Sequence, residues 1–229
     1  MIRRLPAWVW FGGVLLTFTA GLINSMALLS FANQAVTHVT GSITLASAAI
    51  AQQNWDDVRH LSLVVISFFL GAIVSGLITR GSKLRMGRRY GVAMMLESLL
   101  LLLAMTLFMH NSFWGQMVAS MACGLQNAMV TTFSGAIIRT THLTGLVTDL
   151  GAKIGHWLRG GMMDNRQLLL HILFITGFIS GGAAGAWLFI RLGYKTWLIP
   201  ALITGVSGLG YMMYALWLRK ENRSIEILL

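Results

Sequence analysis

Thr37-His38-Val39-Thr40-Gly41 and Thr141-His142-Leu143-Thr144-Gly145, reading THVTG and THLTG, are two versions of one phrase set in otherwise apolar sequence. Each places a histidine and two hydroxyls where hydrocarbon offers no hydrogen-bond partner, so the side chains must bond within the protein or line a polar passage. The likeness extends upstream. Gly21-Leu22-Ile23-Asn24-Ser25-Met26 precedes the first phrase and Gly124-Leu125-Gln126-Asn127-Ala128-Met129 the second, with Gly, Leu, Asn and Met in register. The asparagines are 103 residues apart (24 to 127) and the histidines 104 (38 to 142), so one residue is inserted between them. A repeat of this period in an apolar chain is a statement about architecture. It divides the sequence into a first repeat over 8–110, a second over 113–218 and a tail over 219–229.

Of 229 residues, 56% are hydrophobic and 10% charged, and the mean hydropathy is +0.71. These values place the chain among polytopic membrane proteins and away from soluble domains. The net charge of +10 would suggest nucleic acid in a soluble protein. Here the basic residues sit mainly in short loops between apolar runs and read as orientation signals, with no nucleic-acid partner expected. Cys123 is the lone cysteine, so no intramolecular disulfide can form. The apolar run after Arg3 and Arg4 continues past residue 28 without a small-residue cleavage pattern, which reads as a retained first span.

Six segments have the length of a membrane crossing, 8–30, 61–79, 90–110, 113–136, 167–190 and 196–218. The stretches 31–53 and 137–159 are polar at first and then form helices too short to span. Thr40 or Ser42 is expected to cap the first of these, with Gly41 permitting the turn. Gly71, Ser75 and Gly76, and the series Gly177, Gly181 and Gly185, offer close-packing faces that would serve one subunit or a homo-oligomer.

Charge decides whether the short segments cross. With eight crossings, nine of the 17 basic residues fall on the side of the N-terminus and eight on the other. With six crossings and two re-entrant segments, the division is 14 against three, the three being Arg59, Arg191 and Lys195. The positive-inside rule selects six, with both termini cytoplasmic. Three crossings per half invert the second repeat relative to the first, an arrangement that puts a site at the repeat interface near the midplane. The expected fold is an all-α polytopic membrane protein with six full transmembrane helices, two short re-entrant or broken helices and two inverted structural repeats.

A helix start near Thr40 or Thr144 presents free backbone N–H groups to an anion or a polarised carbonyl. His38 and His142 lie just before these starts and can bind an anion, relay a proton or gate a pore, or else only bond the unwound backbone. Asn24 and Asn127 can select a solute or brace that backbone. Glu97, inside MMLESLLLLL, is expected to face the bundle because an acid in lipid is costly. Asp149 and Lys153 have the spacing of a mutually neutralising i,i+4 pair. The path candidates are therefore Asn24, Thr37, His38, Thr40, Gly41, Glu97, Asn127, Thr141, His142, Thr144, Gly145 and Asp149. Two histidines without convergent carboxylates make a poor metal site, and no phosphate loop or nucleophile elbow occurs. No enzyme activity, metal or cofactor is expected.

GLxN followed by THxTG, and GLQNA followed by THLTG with Asp149-Leu150-Gly151 downstream, resembles the YoaK-like family of bacterial inner-membrane proteins, which is catalogued as a domain of unknown function. The resemblance covers nearly the whole chain. It implies a multi-pass inner-membrane protein of about six spans, with the lipid bilayer as its surroundings, and supplies no catalytic residues. Symmetry and polarity lead separately to a small-solute transporter or channel, with proton coupling as one form, in which His38 and His142 line the path. The alternative is a non-transporting membrane protein that docks or stabilises a partner complex, although the chain has little docking surface beyond its short basic loops.

Overall fold

A computed structural model describes residues 7–31, 33–79, 88–134 and 140–226. Helix α1 (Ala7–Leu29) is followed by the short α2 (Val39–Ala51), then α3 (Trp55–Thr79) and α4 (Arg88–Met109). The order recurs with α5 (Trp114–Ser134), the short α6 (Leu143–Leu158), α7 (Asn165–Leu192) and α8 (Leu198–Glu226), the last two joined by a 3-10 turn at Gly193–Trp197. No strand occurs among the described residues. At 13 and 16 residues, α2 and α6 extend roughly 20–24 Å, short of the ~30 Å hydrocarbon layer. Residues 80–87 of a basic loop expected at 80–89, 135–136 at the end of the segment 113–136 and 137–139 of the second polar stretch lie outside the described residues, while α8 continues through 226 into the expected tail.

Local chemistry accounts for the helix boundaries. The Asn54 side chain accepts the Asp57 backbone N–H at 3.3 Å, and the Asp164 carboxylate accepts those of Arg166 and Gln167 at 3.1 and 3.4 Å, capping α3 and α7. Gly193, at φ +58, takes the left-handed position that stops α7. The caps of α2 and α6 depart from expectation. His38 and His142 occupy those positions without a side-chain capping bond. The Ser42 hydroxyl donates back to the His38 carbonyl at 3.2 Å instead, and Thr44 bonds the Thr40 carbonyl at 2.9 Å.

Four helical stretches, 10–29, 55–79, 89–109 and 165–217, are long and apolar enough to cross a membrane, the last containing both α7 and α8. Helix α5 falls short because it carries Gln116, Ser120 and Gln126. All three are fully buried, so these polar groups face protein. Large apolar side chains such as Phe69, Leu77, Ile179, Ile190 and Val206 are exposed on the outside, as in a helical membrane protein.

The main packing pairs are α1 with α7, α3 with α5, and α4 with both α8 and α5. Two of these pairs are built on glycine. A Cβ at Gly21 would strike the Phe178 carbonyl, and one at Gly181 would strike the Phe18 carbonyl. In the other pair, a Cβ at Gly124 would strike the Phe68 carbonyl and one at Gly71 the Met121 carbonyl. The glycine series of α7 continues this seam, with Gly177 at Val14 and Gly185 at Leu22. Contacts therefore advance together along α1 and α7, which run parallel, as do α3 and α5. Helices α4 and α8 run antiparallel, since Gly91 meets Gly208 while Ser98, further along, donates to the earlier Ala201 carbonyl at 2.7 Å. Gly76 does not join a seam. It is exposed, with open space where a Cβ would stand.

The buried apolar residues form two clusters. One gathers Ile23, Met26, Leu101, Phe108, Cys123 and Trp197; the other gathers Leu16, Met94, Leu125, Met129, Leu170 and Phe174. Along α1, α4 and α8 the positions between them hold Thr17, Thr19, Glu97, Ser98 and Thr204, all buried, and buried Gln126 of α5 joins them by donating to the Leu16 carbonyl at 3.1 Å and the Thr19 hydroxyl at 3.0 Å. A polar layer thus crosses the middle of the bundle.

Alanine at Gly71 or Gly124 should force backbones apart at a cost of about 1–3 kcal/mol, and alanine at Gly21 or Gly181 should do the same in the equivalent pair. Gly76→Ala, with nothing near its Cβ position, should be neutral or stabilising. Thermal unfolding in detergent, followed by exposure of the buried Cys123 thiol to a fluorogenic maleimide, measures all five.

Candidate functional site

Between α1 and α2 the chain unwinds, and its backbone groups are satisfied by side chains from other elements. Asn24 Oδ1 accepts both the Thr37 backbone N–H at 3.2 Å and the Thr37 hydroxyl at 2.8 Å. From α5, Gln116 donates to the Gln34 carbonyl at 3.4 Å, and the Ser120 hydroxyl is shared between the carbonyls of Val36 at 3.3 Å and Val64 at 2.8 Å. His60 of α3 holds Gln116 in place, its Nε2–H donating to Oε1 at 2.6 Å. Tyr194 accepts the Phe31 N–H at 3.3 Å. Asn24 and buried Thr37 are thus braces of the unwound segment, as peptide groups away from water require.

The histidines stand apart from this bracing. His38 and His142 are both exposed and adopt nearly the same backbone conformation, φ −99 and ψ 67 against φ −93 and ψ 57. Each ring folds back over the first turn of its own helix. A Cβ at Gly41 would overlap the His38 ring and one at Gly145 the His142 ring, which explains the glycine of each phrase. Thr40 and Thr144 are exposed beside the rings and Thr141 is half-buried. An exposed imidazole above uncapped N–H groups can accept a proton, donate to a passing solute or meet an anion.

The second break is less tightly held among the described residues. The Oδ1 of Asn127, the counterpart of Asn24, has no partner, and neither does the buried Thr140 hydroxyl. Helix α6 rests lightly on α7, whereas α2 packs extensively on α3. Asp149 and Lys153 do not pair with each other in the expected manner. Lys153 Nζ instead meets the Nε2 of buried His171 on α7 at 3.3 Å, and the Asp149 carboxylate lies 3.9 Å from the same nitrogen, beyond hydrogen-bond distance. Because His171 Nδ1 donates to the Gln167 carbonyl at 2.5 Å, Nε2 is left as the acceptor for Lys153.

Glu97, halfway along α4, is fully buried, and neither carboxylate oxygen has a hydrogen-bond partner. The sequence candidates therefore fall into separate places. Asn24 meets Thr37, each histidine meets its glycine, Asp149 lies near His171, and Glu97 lies alone in the polar layer. Helices α2 and α6 do not pack on each other. Gln116, Ser120, Gln126, His60 and His171 are structural or site residues that sequence reasoning passed over. A pattern was available for the histidines, since His60 and His171 each follow an asparagine, Asn54 and Asn165, by six residues (54 to 60, 165 to 171). Among the described residues no group of three or more His, Cys, Asp or Glu side chains gathers to hold a metal ion.

Neither the curated proteins nor the solved structures contain a match to this chain. A family model does match, over residues 12–210, and the chain belongs to that family, which is described as a protein of unknown function (DUF1275).

Proposed function

We propose that this protein is a small-solute transporter or channel of the bacterial inner membrane, built from two inverted repeats with His38 and His142 at the breaks that guard the path. The observation that carries the reading is the equivalence of the two glycine seams. Phe18 and Gly21 correspond to Met121 and Gly124 at a separation of 103 residues, and Phe68 and Gly71 to Phe178 and Gly181 at 110 (68 to 178, 71 to 181). Exchanging partners in this way turns the contacts of α1 with α7 into those of α5 with α3. That is the relation expected of a two-fold axis between halves.

Helix directions support the re-entrant form of the model. Neighbours joined by tight turns, α4 with α5 and α7 with α8, reverse direction; because α4 opposes α8, α5 must oppose α7. Helix α6, lying between two opposed crossings, then enters and leaves on one face. The parallel pairs extend the same logic to α2, which lies between the opposed α1 and α3. Eight crossings would instead make α4 and α8 parallel. With six, the histidine breaks approach from opposite faces and the polar layer lies between them, the arrangement of alternating-access carriers and of channels with paired re-entrant segments. No soluble docking element stands out in the described fold to favour the alternative of a partner-binding protein.

Sidedness tests the architecture without a known solute. In a Cys123→Ser background, single cysteines replacing the exposed Asp56 and Asn165 should label from opposite faces of intact cells, Asp56→Cys from outside and Asn165→Cys from the cytoplasm. Labelling of both only from the cytoplasm would mean eight crossings and end the inverted-repeat reading. For the path, His38→Gln combined with His142→Gln should abolish solute or proton flux in liposomes while leaving the melting temperature within a few degrees of wild type. Unchanged flux would assign both rings to structure.

A further inference from the structure

The polar layer contains one acid, and the fold gives it no partner. Glu97 is completely buried at the middle of α4, both of its oxygens lack a partner, and no basic side chain among the described residues forms an ion pair with it. Of the other side chains in the layer, Ser98 donates to the Ala201 carbonyl at 2.7 Å and Thr204 to the Pro200 carbonyl at 3.0 Å, while the Oε1 of Gln126 is unpartnered like the Glu97 oxygens. An unpaired carboxylate away from water is strongly destabilising unless its charge is neutralised. A glutamine, or an apolar residue of like volume, would serve the packing better, so packing does not account for the acid.

Surrounding chemistry identifies the species that neutralises it. A hard metal cation takes about six oxygen ligands. The α4 positions one turn to either side of Glu97 are Ala93, Met94, Leu100 and Leu101, and the Cys123 thiol of α5 lies in the same buried cluster as Leu101. None of these supplies an oxygen side chain, and of the layer's other side-chain oxygens only Gln126 Oε1 is without a bond, far short of about six. A proton requires only one of the two carboxylate oxygens. Other titratable groups on the elements packed around α4 are placed elsewhere. Tyr211 of α8 lies with the Met94 cluster, Tyr194 stacks on Phe108 towards the far end of α4, Lys195 is exposed, and His60 of α3 is bonded to Gln116.

We infer that Glu97 is a proton-binding site at the centre of the bundle, its carboxyl taking a proton on one oxygen and releasing it as the carboxylate when the layer opens to water. The binding itself rests on burial and isolation. Its use as the coupling step of transport rests on the proposed function.

Infrared difference spectroscopy of the purified full-length protein in lipid vesicles, stepped through pH in H2O and D2O at constant ionic strength, tests the site with the proton itself as the probe. The wild type should show a protonated-carboxyl C=O band that shifts in D2O and titrates away at alkaline pH. The band should vanish in Glu97→Gln, move but persist in Glu97→Asp, and remain in the His38→Gln, His142→Gln double variant. Glu97→Gln should also melt no earlier than wild type by circular dichroism. A band that survives in Glu97→Gln, a carboxylate signal at every pH, or loss of the band on exchanging choline for sodium or potassium at fixed pH overturns the proton site. A Glu97→Gln protein that unfolds or melts markedly earlier overturns it too, by making the acid a packing residue. Should the band behave as expected while the histidine variants leave flux untouched, the proton site stands and the path reading falls.

Discussion

Contact between glycine and a neighbouring helix's carbonyl is the constraint on which this bundle depends. In lipid no hydrophobic force draws helices together, so association relies on close van der Waals fit, and small residues are what allow it. Gly21, Gly71, Gly124 and Gly181 each bring their helix against a peptide group of another, leaving no room for even a methyl. With α1 seated on α7 and α3 on α5, α4 is confined between α5 and α8. That confinement buries the middle of α4, and Glu97 with it. The short helices take no part in either glycine seam and pack chiefly on the helix that follows each of them.

A second constraint is the accounting of peptide hydrogen bonds where the chain unwinds. The first break meets it with Asn24, Gln116 and Ser120, side chains drawn from both halves of the protein. The second break, through the described residues, leaves Asn127 Oδ1 and the Thr140 hydroxyl without partners. A similar inequality runs through the helix contacts, where α4 lies broadly on α5 while α8 touches α1 only lightly. Among the described residues the two halves are therefore held by unequal sets of contacts.

Much of the fold was legible because apolar length and the THxTG phrase are both local signals. The six long segments and two short ones match the observed helices to within a few residues, apart from the early start of α3 and the extension of α8. The positions of His38 and His142 just before helix starts were also readable from the phrase, whereas Gly41, read as permitting a turn, serves to make room for the folded-back ring. What could not be read depends on which helix faces which. Gln116 and Ser120 are unremarkable along α5 until the 34–36 backbone lies against them. Asp149 and Lys153 have ideal spacing for each other, yet buried His171 offers Lys153 a partner from the next helix. Gly76 shares its composition with true packing glycines and differs only in pointing outward. The segment 113–136 was read as a crossing, and its low hydropathy has a related cause, since α5 carries its polar groups toward protein.

The glycine seams also impose an order on biogenesis. Gly21 must wait for Phe178 and Phe68 for Gly124, the first pair separated by 157 residues of chain (21 to 178). When the first half leaves the ribosome its two small-residue faces are open to lipid, and neither can close on the other because each is shaped for a helix still to be made. Contacts of such long sequence separation form late and slowly. Assembly is therefore a docking of two half-bundles, in which neither half is a finished domain and each completes the surface of the other. A chain divided at the turn between α4 and α5 retains every seam it needs, so long as both pieces reach the same membrane.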